Sequence, residues 1–519
     1  MAVKTVIDNL KTKGLKETQR IRLCKKYNLV KEEVHLKKLQ RCTTEKERYK
    51  NIAFGYEFNL KDDDKMSGIY KKITAAFTMR QLLAEIEDEE GSKTIDELIG
   101  EMLSSSADKI TAEELSAWDE KMKGLETKQY KVALKRMFIK RLIPETYNKY
   151  RDSELDEKKI LFLQPRTGLN QTFKYIYRKM EKDGVYEPEL VELRRGEVSH
   201  TEHFINALSF FKEAADAKAI MVHESSEYFG YVDIRKETKL VQLWHGCGII
   251  KYLGLDCAGM PGFKSEKGYI EFPEYNKYDI VTIASEGQRP VFERFMGKEA
   301  GDPVIQAIGV SRTDEFFDPE YIENCYSKLY KIVPEAKEKK TILYAPTYRG
   351  KDPIREAPNR LDIAKFAEKL SDDYVLLIKH HQTSQNIPEI PEEYRDKFAY
   401  DVTRGRGMDI NELMTVADIC ISDYSSVVFE YSVFERPIIF YMYDLEDYSD
   451  SRGMYYSYEE LAECGPIFKT NEEMIDYIAD IDNAFDKERV VEFKNKFMSA
   501  CDGHATERII NFIEDGQKQ

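Results

Sequence analysis

Four short segments set polar, proton-transferring or anion-binding side chains directly after apolar runs. The first is Leu243-Trp244-His245-Gly246-Cys247-Gly248-Ile249-Ile250-Lys251. An imidazole titrates near neutrality, so a histidine closing a strand is suited to general-base work, and glycines beside it let backbone approach a ligand closely. The alternative is a structural histidine packed beside Trp244. The second segment runs from Asp418 to Glu430 and holds Asp423, Tyr424, Ser425 and Ser426 between a strand and a helix. Free N–H groups at a helix start, with two hydroxyls, make a phosphate cradle. The alternative is a serine N-cap with Glu430 as a capping-box-like acid.

The third segment, Leu376-Leu377-Ile378-Lys379-His380-His381, ends a strand in tandem histidines. Neighbours in an extended strand face opposite sides, which speaks against both binding one metal ion. The fourth, Tyr344-Ala345-Pro346-Thr347-Tyr348-Arg349, delivers an arginine after a strand. Its planar fork matches phosphate bidentately, or else it is a surface arginine. There is no Walker A loop, nucleophile elbow or H-E-x-x-H, and the glycines lack dinucleotide-binding spacing, which argues against hydride transfer.

These segments must be positioned by strands. Apolar runs at Lys159–Leu163, Ala219–His223, Leu240–Trp244, Ile280–Ala284 and Val304–Ile308 alternate with helical patterns such as Thr172–Lys182. The pattern restarts at Thr341–Tyr344, Val375–Lys379, Ile419–Ser422 and Pro437–Tyr441. Strands alternating with helices predict parallel sheets, hence an α/β protein with two successive Rossmann-like domains over 158–330 and 331–486. The ligand is expected in the cleft at the carboxyl ends of the strands. A long helical pattern, Lys487–Glu514, closes the chain within a final segment, 487–519, expected to pack back on the body.

Residues 1–157 read as a mostly helical, highly charged accessory region. The first fifty carry 15 Lys/Arg against 6 Asp/Glu, while the whole chain of 519 residues has a net charge of −15, leaving −24 on the remainder. Such an overall charge disfavours nucleic acid as a partner. A second basic segment, Lys121–Lys149, sets Tyr130, Leu134, Met137 and Phe138 at helical spacing among Lys131, Lys135, Arg136, Lys140 and Arg141. It is either a helix for anionic headgroups or a surface helix docked by its apolar stripe. Glu85–Glu90 reads as a solvated acidic loop. With 42% hydrophobic residues, 33 Tyr and 26 Phe, the chain has ample core material and is not largely disordered. The start lacks the apolar stretch of a signal peptide, and no run nears the ~18 apolar residues of a membrane span. The eight cysteines show neither C-x-x-C nor zinc spacing, so free buried thiols in a reducing cytosol are expected.

Taken in order, the motifs resemble the CDP-glycerol glycerophosphotransferase family, which makes teichoic acids and related poly(polyol phosphate) polymers. The resemblance runs through W-H-G-x-x-x-x-K (Trp244–Lys251), S-E-G (Ser285–Gly287), G-V-S-R-T-D (Gly309–Asp314), Y-A-P-T-Y-R (Tyr344–Arg349) and Lys379/His381. It continues through S-D-Y-S-S (Ser422–Ser426), Asp444, Tyr448, Arg452-Gly453, Gly465-Pro466 and D-G-x-x-x-E-R (Asp502–Arg508), covering about residues 160–515.

The resemblance implies a GT-B architecture of two facing Rossmann-like domains. It also implies transfer of a polyol phosphate from CDP-glycerol or CDP-ribitol to a hydroxyl of a lipid-linked or glycan acceptor, with release of CMP. His245 is then the expected base, and His381, rather than the adjacent His380, the group that stabilises charge on the pyrophosphate. Arg349, Ser425 and Ser426 are expected on the donor phosphates. Asp423 and Glu430 are expected to orient these groups or meet the ribose, and Gly246, Lys251, Thr347 and Arg452 to complete the substrate site. No cofactor or metal is required. The expected location is cytoplasmic, peripheral on the inner face of the membrane through the basic segments. A nucleotide-sugar glycosyltransferase and a non-catalytic scaffold of the same fold are the competing readings. Where many members read H-G-T-P-L-K, this chain has Cys247 and Gly248, and Tyr348 replaces the usual tryptophan before the arginine. Which polyol is used, how many units are added and the oligomeric state are not legible in these motifs.

Overall fold

The computed structural model describes residues 128–514 apart from 351–354, 382–383, 404–406 and 447–452, together with Ile73, Ala76, Ile99, Met102, Ile110, Thr111 and Glu114. The basic first fifty residues, the acidic Glu85–Glu90, Tyr448 and Arg452 lie outside the described residues.

Two six-stranded parallel sheets form the body, as expected of an α/β chain whose strands alternate with helices. The first holds β1 (Asp156–Gln164), β2 (Glu187–Glu192), β3 (Ala217–Val222), β4 (Lys239–Gln242), β5 (Ile280–Thr282) and β6 (Ile305–Gln306) in the order β2-β1-β3-β4-β5-β6. The second holds β7 (Lys340–Tyr344), β8 (Tyr374–Ile378), β9 (Ala399–Asp401), β10 (Ile419–Ser422), β11 (Ile438–Tyr441) and β12 (Ile467–Phe468) in the order β12-β11-β10-β7-β8-β9. Both orders are doubly wound, and the second reverses between β7 and β10 and so opens a crevice at their carboxyl ends.

Strands β2, β9 and β12 carry no clear signal in the sequence. Each is an edge strand. β2 is acidic, includes Pro188 and has no fully buried residue, while β9 and β12 are only 3 and 2 residues long. An edge strand needs neither an apolar run nor a complete set of N–H donors. β4 stops at Gln242, earlier than its apolar run, because Trp244 turns into the left-handed region (φ 54°).

From Lys128 onward the second basic segment is one helical rod with a wide turn in it: α-helix Lys128–Met137, π-helix Phe138–Leu142 and α-helix Ile143–Tyr150. Pro144 has no N–H, and its ring needs room at the carbonyl one turn earlier. The wide turn provides that room, with the Ile143 N–H reaching Phe138 O. The stripe of this helix faces protein. Leu134, Met137 and Phe138 are fully buried in one cluster with Phe204 and Phe211, which also takes in Ile73, Ala76, Ile99 and Met102. Its cations are answered as well. Lys135 pairs with Glu227 and lies 4.3 Å over the Phe272 ring. Arg136 grips Glu271 through two bonds of 2.6 and 3.0 Å, with Lys140 at 3.1 Å. Of the two readings of this segment, the structure favours the surface helix docked by its apolar stripe over the helix for headgroups: the apolar face and these charges are spent on the first domain.

The closing pattern, expected as one helix, is two: Lys487–Phe497 and Ala505–Glu514. Between them Gly503 has φ +90° and lies where a Cβ would meet Phe317 at 3.0 Å. The last helix returns to the first sheet. Ile509 and Ile513 are buried with Ile160 and Phe162, and Asp314 accepts from the N–H groups of Ala505 and Thr506.

Hydrogen bonds from Arg136 hold the Glu271 carboxyl down to about 2. A depressed carboxyl stabilises the fold fully above its ordinary value of 4.5, and that contribution fades as pH falls to about 2. Glu271→Gln is therefore expected to lower the thermal midpoint at pH 7, with the difference from wild type vanishing near pH 2. A difference that persists unchanged at pH 2 contradicts the assignment.

Candidate active site

The crevice between β7 and β10 is organised by one buried carboxylate. Asp423 is 3% exposed and accepts from the N–H of Thr347 (2.8 Å), from that of Tyr424 (2.7 Å) and from Arg349 (3.0 Å). Burial raises its pKa, and the Arg349 guanidinium works against that rise. Arg349 also holds Asp444 through two bonds of 2.6 and 3.1 Å and lies 5.2 Å from the rings of both Tyr424 and Tyr443. Its cation is thus already answered by two carboxylates, and a phosphate there competes with both. The Thr347 hydroxyl is buried with no hydrogen bond among the described residues.

Beside this wall lies a cavity of about 760 Å³, lined by His380, His381, Lys379, Ser425 and Asp409 from the second domain and Lys174 from the first. Both tandem histidines reach it. His380 is 4% exposed, with its N–H on the Thr403 hydroxyl, whereas His381 is open and stands 5.5 Å from the Tyr348 ring. Desolvation lowers the pKa of both. Lys379 is spent on the loop that roofs the cavity, donating to the carbonyls of Val402 and Met408 at 3.0 and 3.1 Å. Ser425 accepts from the Val427 N–H at 3.4 Å, and Ser426 occupies the N-cap position without capping through its side chain. The helix they introduce is short, Val427–Ser432.

His245 stands on the first-domain side of the interdomain boundary, on the loop after β4, and does not line that cavity. Its ring keeps open surface yet is walled by protein elsewhere, and this desolvation lowers its pKa. Its Nδ1 lies 3.2 Å from the carbonyl of His223. A carbonyl only accepts, so Nδ1 carries the proton and Nε2 is left as the basic nitrogen.

The loop around His245 is held from the second domain. Glu430, 1% exposed, accepts from the Cys247 N–H at 3.2 Å and pairs with Arg312. Glu430 therefore reaches across the boundary instead of closing a capping box on its own helix. Gly248 has its use here too: a Cβ would drive into the Phe429 ring, so this glycine admits a side chain of the other domain, not a ligand. Gly246 keeps open space around it. After the loop, Lys251 bridges to Met454, with Tyr252 N–H on Gly453 O (3.1 Å) and Tyr455 N–H on Ile250 O (2.8 Å). Gly453 has φ +82°, and a Cβ would lie 2.8 Å from the Tyr252 ring.

Sequence reasoning singled out His245, Ser425 and His381 but missed Arg312. Its motif, G-V-S-R-T-D, was the available signal. Among the described residues, no group of three or more His, Cys, Asp or Glu is arranged to hold a metal ion, and no helix is long and apolar enough to cross a membrane. Gly248→Ala is expected to cost about 1–3 kcal/mol, because the Phe429 ring must leave its seat between Phe493 and Phe497. Denaturant unfolding checks this, and an unchanged midpoint contradicts it.

The family described as CDP-Glycerol:Poly(glycerophosphate) glycerophosphotransferase matches residues 146–515. The chain is 32% identical over 379 residues to the teichoic acid poly(ribitol-phosphate) polymerase of Bacillus spizizenii, covering 72% of this chain and 59% of that relative. It is 30% identical over 350 residues to the teichoic acid ribitol-phosphate primase of the same organism, covering 66% of this chain and 87% of that one. In fold it resembles the wall teichoic acid polymerase TagF, with a TM-score of 0.56 at 24% identity over 74% of this chain and 95% of that structure. The chain thus spans a little over half the length of the first of these relatives. With the family matched from the final turns of the basic helix to the end of the last one, this chain belongs to the CDP-glycerol:poly(glycerophosphate) glycerophosphotransferase family.

Proposed function

We propose that this protein transfers a polyol phosphate from a CDP-alditol, CDP-glycerol or CDP-ribitol, to a hydroxyl of a lipid-linked or glycan acceptor in teichoic-acid-like polymer synthesis. The acceptor oxygen forms a bond to the β-phosphorus, the bond from that phosphorus to the bridging oxygen breaks, and CMP leaves with the bridging oxygen. The acceptor proton passes to Nε2 of His245. The observation that carries this reading is the His245 ring itself, whose Nδ1 is committed to the His223 carbonyl and whose Nε2 is thereby basic.

On the donor side, the cavity with His381 and Ser425 is the proposed seat of the CDP moiety, His381 countering charge on the pyrophosphate. Asp423 and Arg349 hold the adjoining wall with Thr347, and Ser426 is assigned to the donor phosphates by its motif, at the N-cap of the helix that follows. Gly246 and Lys251 flank the base, and Arg452 is assigned to the same site by its motif. No metal or cofactor is part of this scheme, since positioning and electrostatics supply what phosphoryl transfer needs. The overall arrangement is of GT-B type, with the helices from Lys128 to Tyr150 as an accessory to the first domain.

Incubation with CDP-glycerol and CDP-ribitol plus a phosphorylated or lipid-linked acceptor is expected to release CMP. No release with any CDP-alditol contradicts the proposal. His245→Ala should reduce turnover by about 10²–10⁴-fold, and His381→Ala by about 10-fold or more. Turnover left intact in both removes their roles even if the activity stands.

Location is cytoplasmic and peripheral in this reading, with the first fifty residues as the contact, since the second basic helix is occupied. Each Lys or Arg near an anionic surface contributes about 1 kcal/mol, and this segment carries a net +9. Replacing its Lys and Arg by Gln should abolish co-sedimentation with phosphatidylglycerol vesicles; undiminished sedimentation contradicts it.

A further inference from the structure

We infer that Arg312 and Glu430 form an interdomain clasp that positions His245 relative to the donor-side helix, acting as positioning residues for the transfer proposed above. The clasp joins three segments. Arg312 lies on the turn Ser311–Phe317 after β6 in the first domain, and Glu430 on the helix Val427–Ser432 of the second, directly behind Ser425 and Ser426. Their side chains are 14% and 2% exposed. The guanidinium binds the carboxylate through Nη2 and donates from Nη1 to the backbone carbonyl of His245 at 3.2 Å. The same carboxylate oxygen accepts the Cys247 N–H at 3.2 Å. His245 is thus gripped at its carbonyl by Arg312 and at its ring by the His223 carbonyl, while the residue two positions on is gripped by the second domain.

This geometry does something a packed apolar pair of the same volume does not. Apolar replacements of a buried ion pair often cost no stability, so stability alone does not call for charges here. An apolar pair, however, leaves the His245 carbonyl and the Cys247 N–H unanswered, and the loop loses its tie to the donor helix. A displacement of about 1 Å between a base and its target is enough to cost about 100-fold in rate. Because one helix carries Ser425 at its start and Glu430 in its first turn, the clasp sets the base and the donor phosphates in register with one rigid element.

The charged and titratable groups facing His245 come from three directions: His223 and Glu224 from the end of β3, Arg312 from the turn, and Glu430 from the second domain. Arg312 disfavours protonation of His245 and Glu430 favours it. Loss of either charge therefore moves the titration of His245 in opposite directions, so its midpoint reads whether both charges stand beside the base, and the split between kcat and KM reads whether they position it.

The experiment titrates ¹³Cε1-labelled histidine in the full chain by NMR, with His245 assigned from its absence in His245→Ala. Glu430→Gln is expected to shift the His245 midpoint to lower pH, Arg312→Gln to higher pH, and the double variant to between them. Glu430→Gln preserves shape, and the double variant leaves no unpaired buried charge, so one of them folds even where a single change does not. Midpoints that stay put, or that move the same way, overturn the clasp. In turnover, Glu430→Ala should lower kcat by about 10-fold or more while the CDP-alditol KM stays within about threefold, and Glu430→Gln, which keeps both acceptor contacts, should recover most of that loss. A kcat unchanged in Glu430→Ala also overturns it. The titration needs no substrate, so a wild type inactive on every CDP-alditol refutes the proposed reaction and leaves the clasp to be decided by NMR.

Discussion

A carboxylate taken out of water must be met by donors, and two such carboxylates on one strand–turn–helix set the terms for the rest of this molecule. Asp423 directly follows β10 and faces inward to its own domain, where it meets Thr347 and Arg349 from the loop after the neighbouring strand β7. Glu430, one short helix later, faces outward and meets Arg312 and the Cys247 N–H of the other domain. One segment thereby organises the wall of the crevice and holds the loop that bears His245. The crevice owes its location to the sheet order, which reverses between β7 and β10.

The two domains are tied at several further places, each by a different kind of force. Backbone hydrogen bonding continues across the boundary where residues 250–252 meet 453–455. Apolar packing crosses it where Cys247, Ile250, Val310 and Phe316 share a core with Val428 and Phe429. The chain itself crosses back through its last helix, which Asp314 caps from the first domain. The two sheets are therefore joined by polar, apolar and covalent routes at once, and the His245 loop lies among them.

At the other end of the chain, the basic helix shows how charge count and charge availability differ. By type its cations suit anionic headgroups, yet Lys135, Arg136 and Lys140 are bound to Glu227 and Glu271 of the first domain. Part of the basic excess of this segment is the complement of an acidic excess elsewhere in the same protein. Arg349 repeats the lesson within the site. An arginine after a strand suits phosphate by type, but here its fork is occupied by Asp423 and Asp444.

What the sequence determined alone is what short-range pattern encodes. The alternation of apolar runs with amphipathic helices specified parallel α/β layers, and the polar turns after β4, β7, β8 and β10 were visible as breaks at the ends of apolar runs. Edge strands β2, β9 and β12 escaped because an edge needs no apolar run, and the closing helical pattern is broken between Phe497 and Ala505, a connection in which Gly503 takes φ +90° against Phe317. What only the tertiary structure decided is which charge meets which. Arg312 and Glu430 are 118 residues apart and Arg136 and Glu271 are 135 apart. No local period relates such pairs, because a buried charge is matched by whatever donor or acceptor the packed sheets bring within reach, and that proximity exists only once both layers are built.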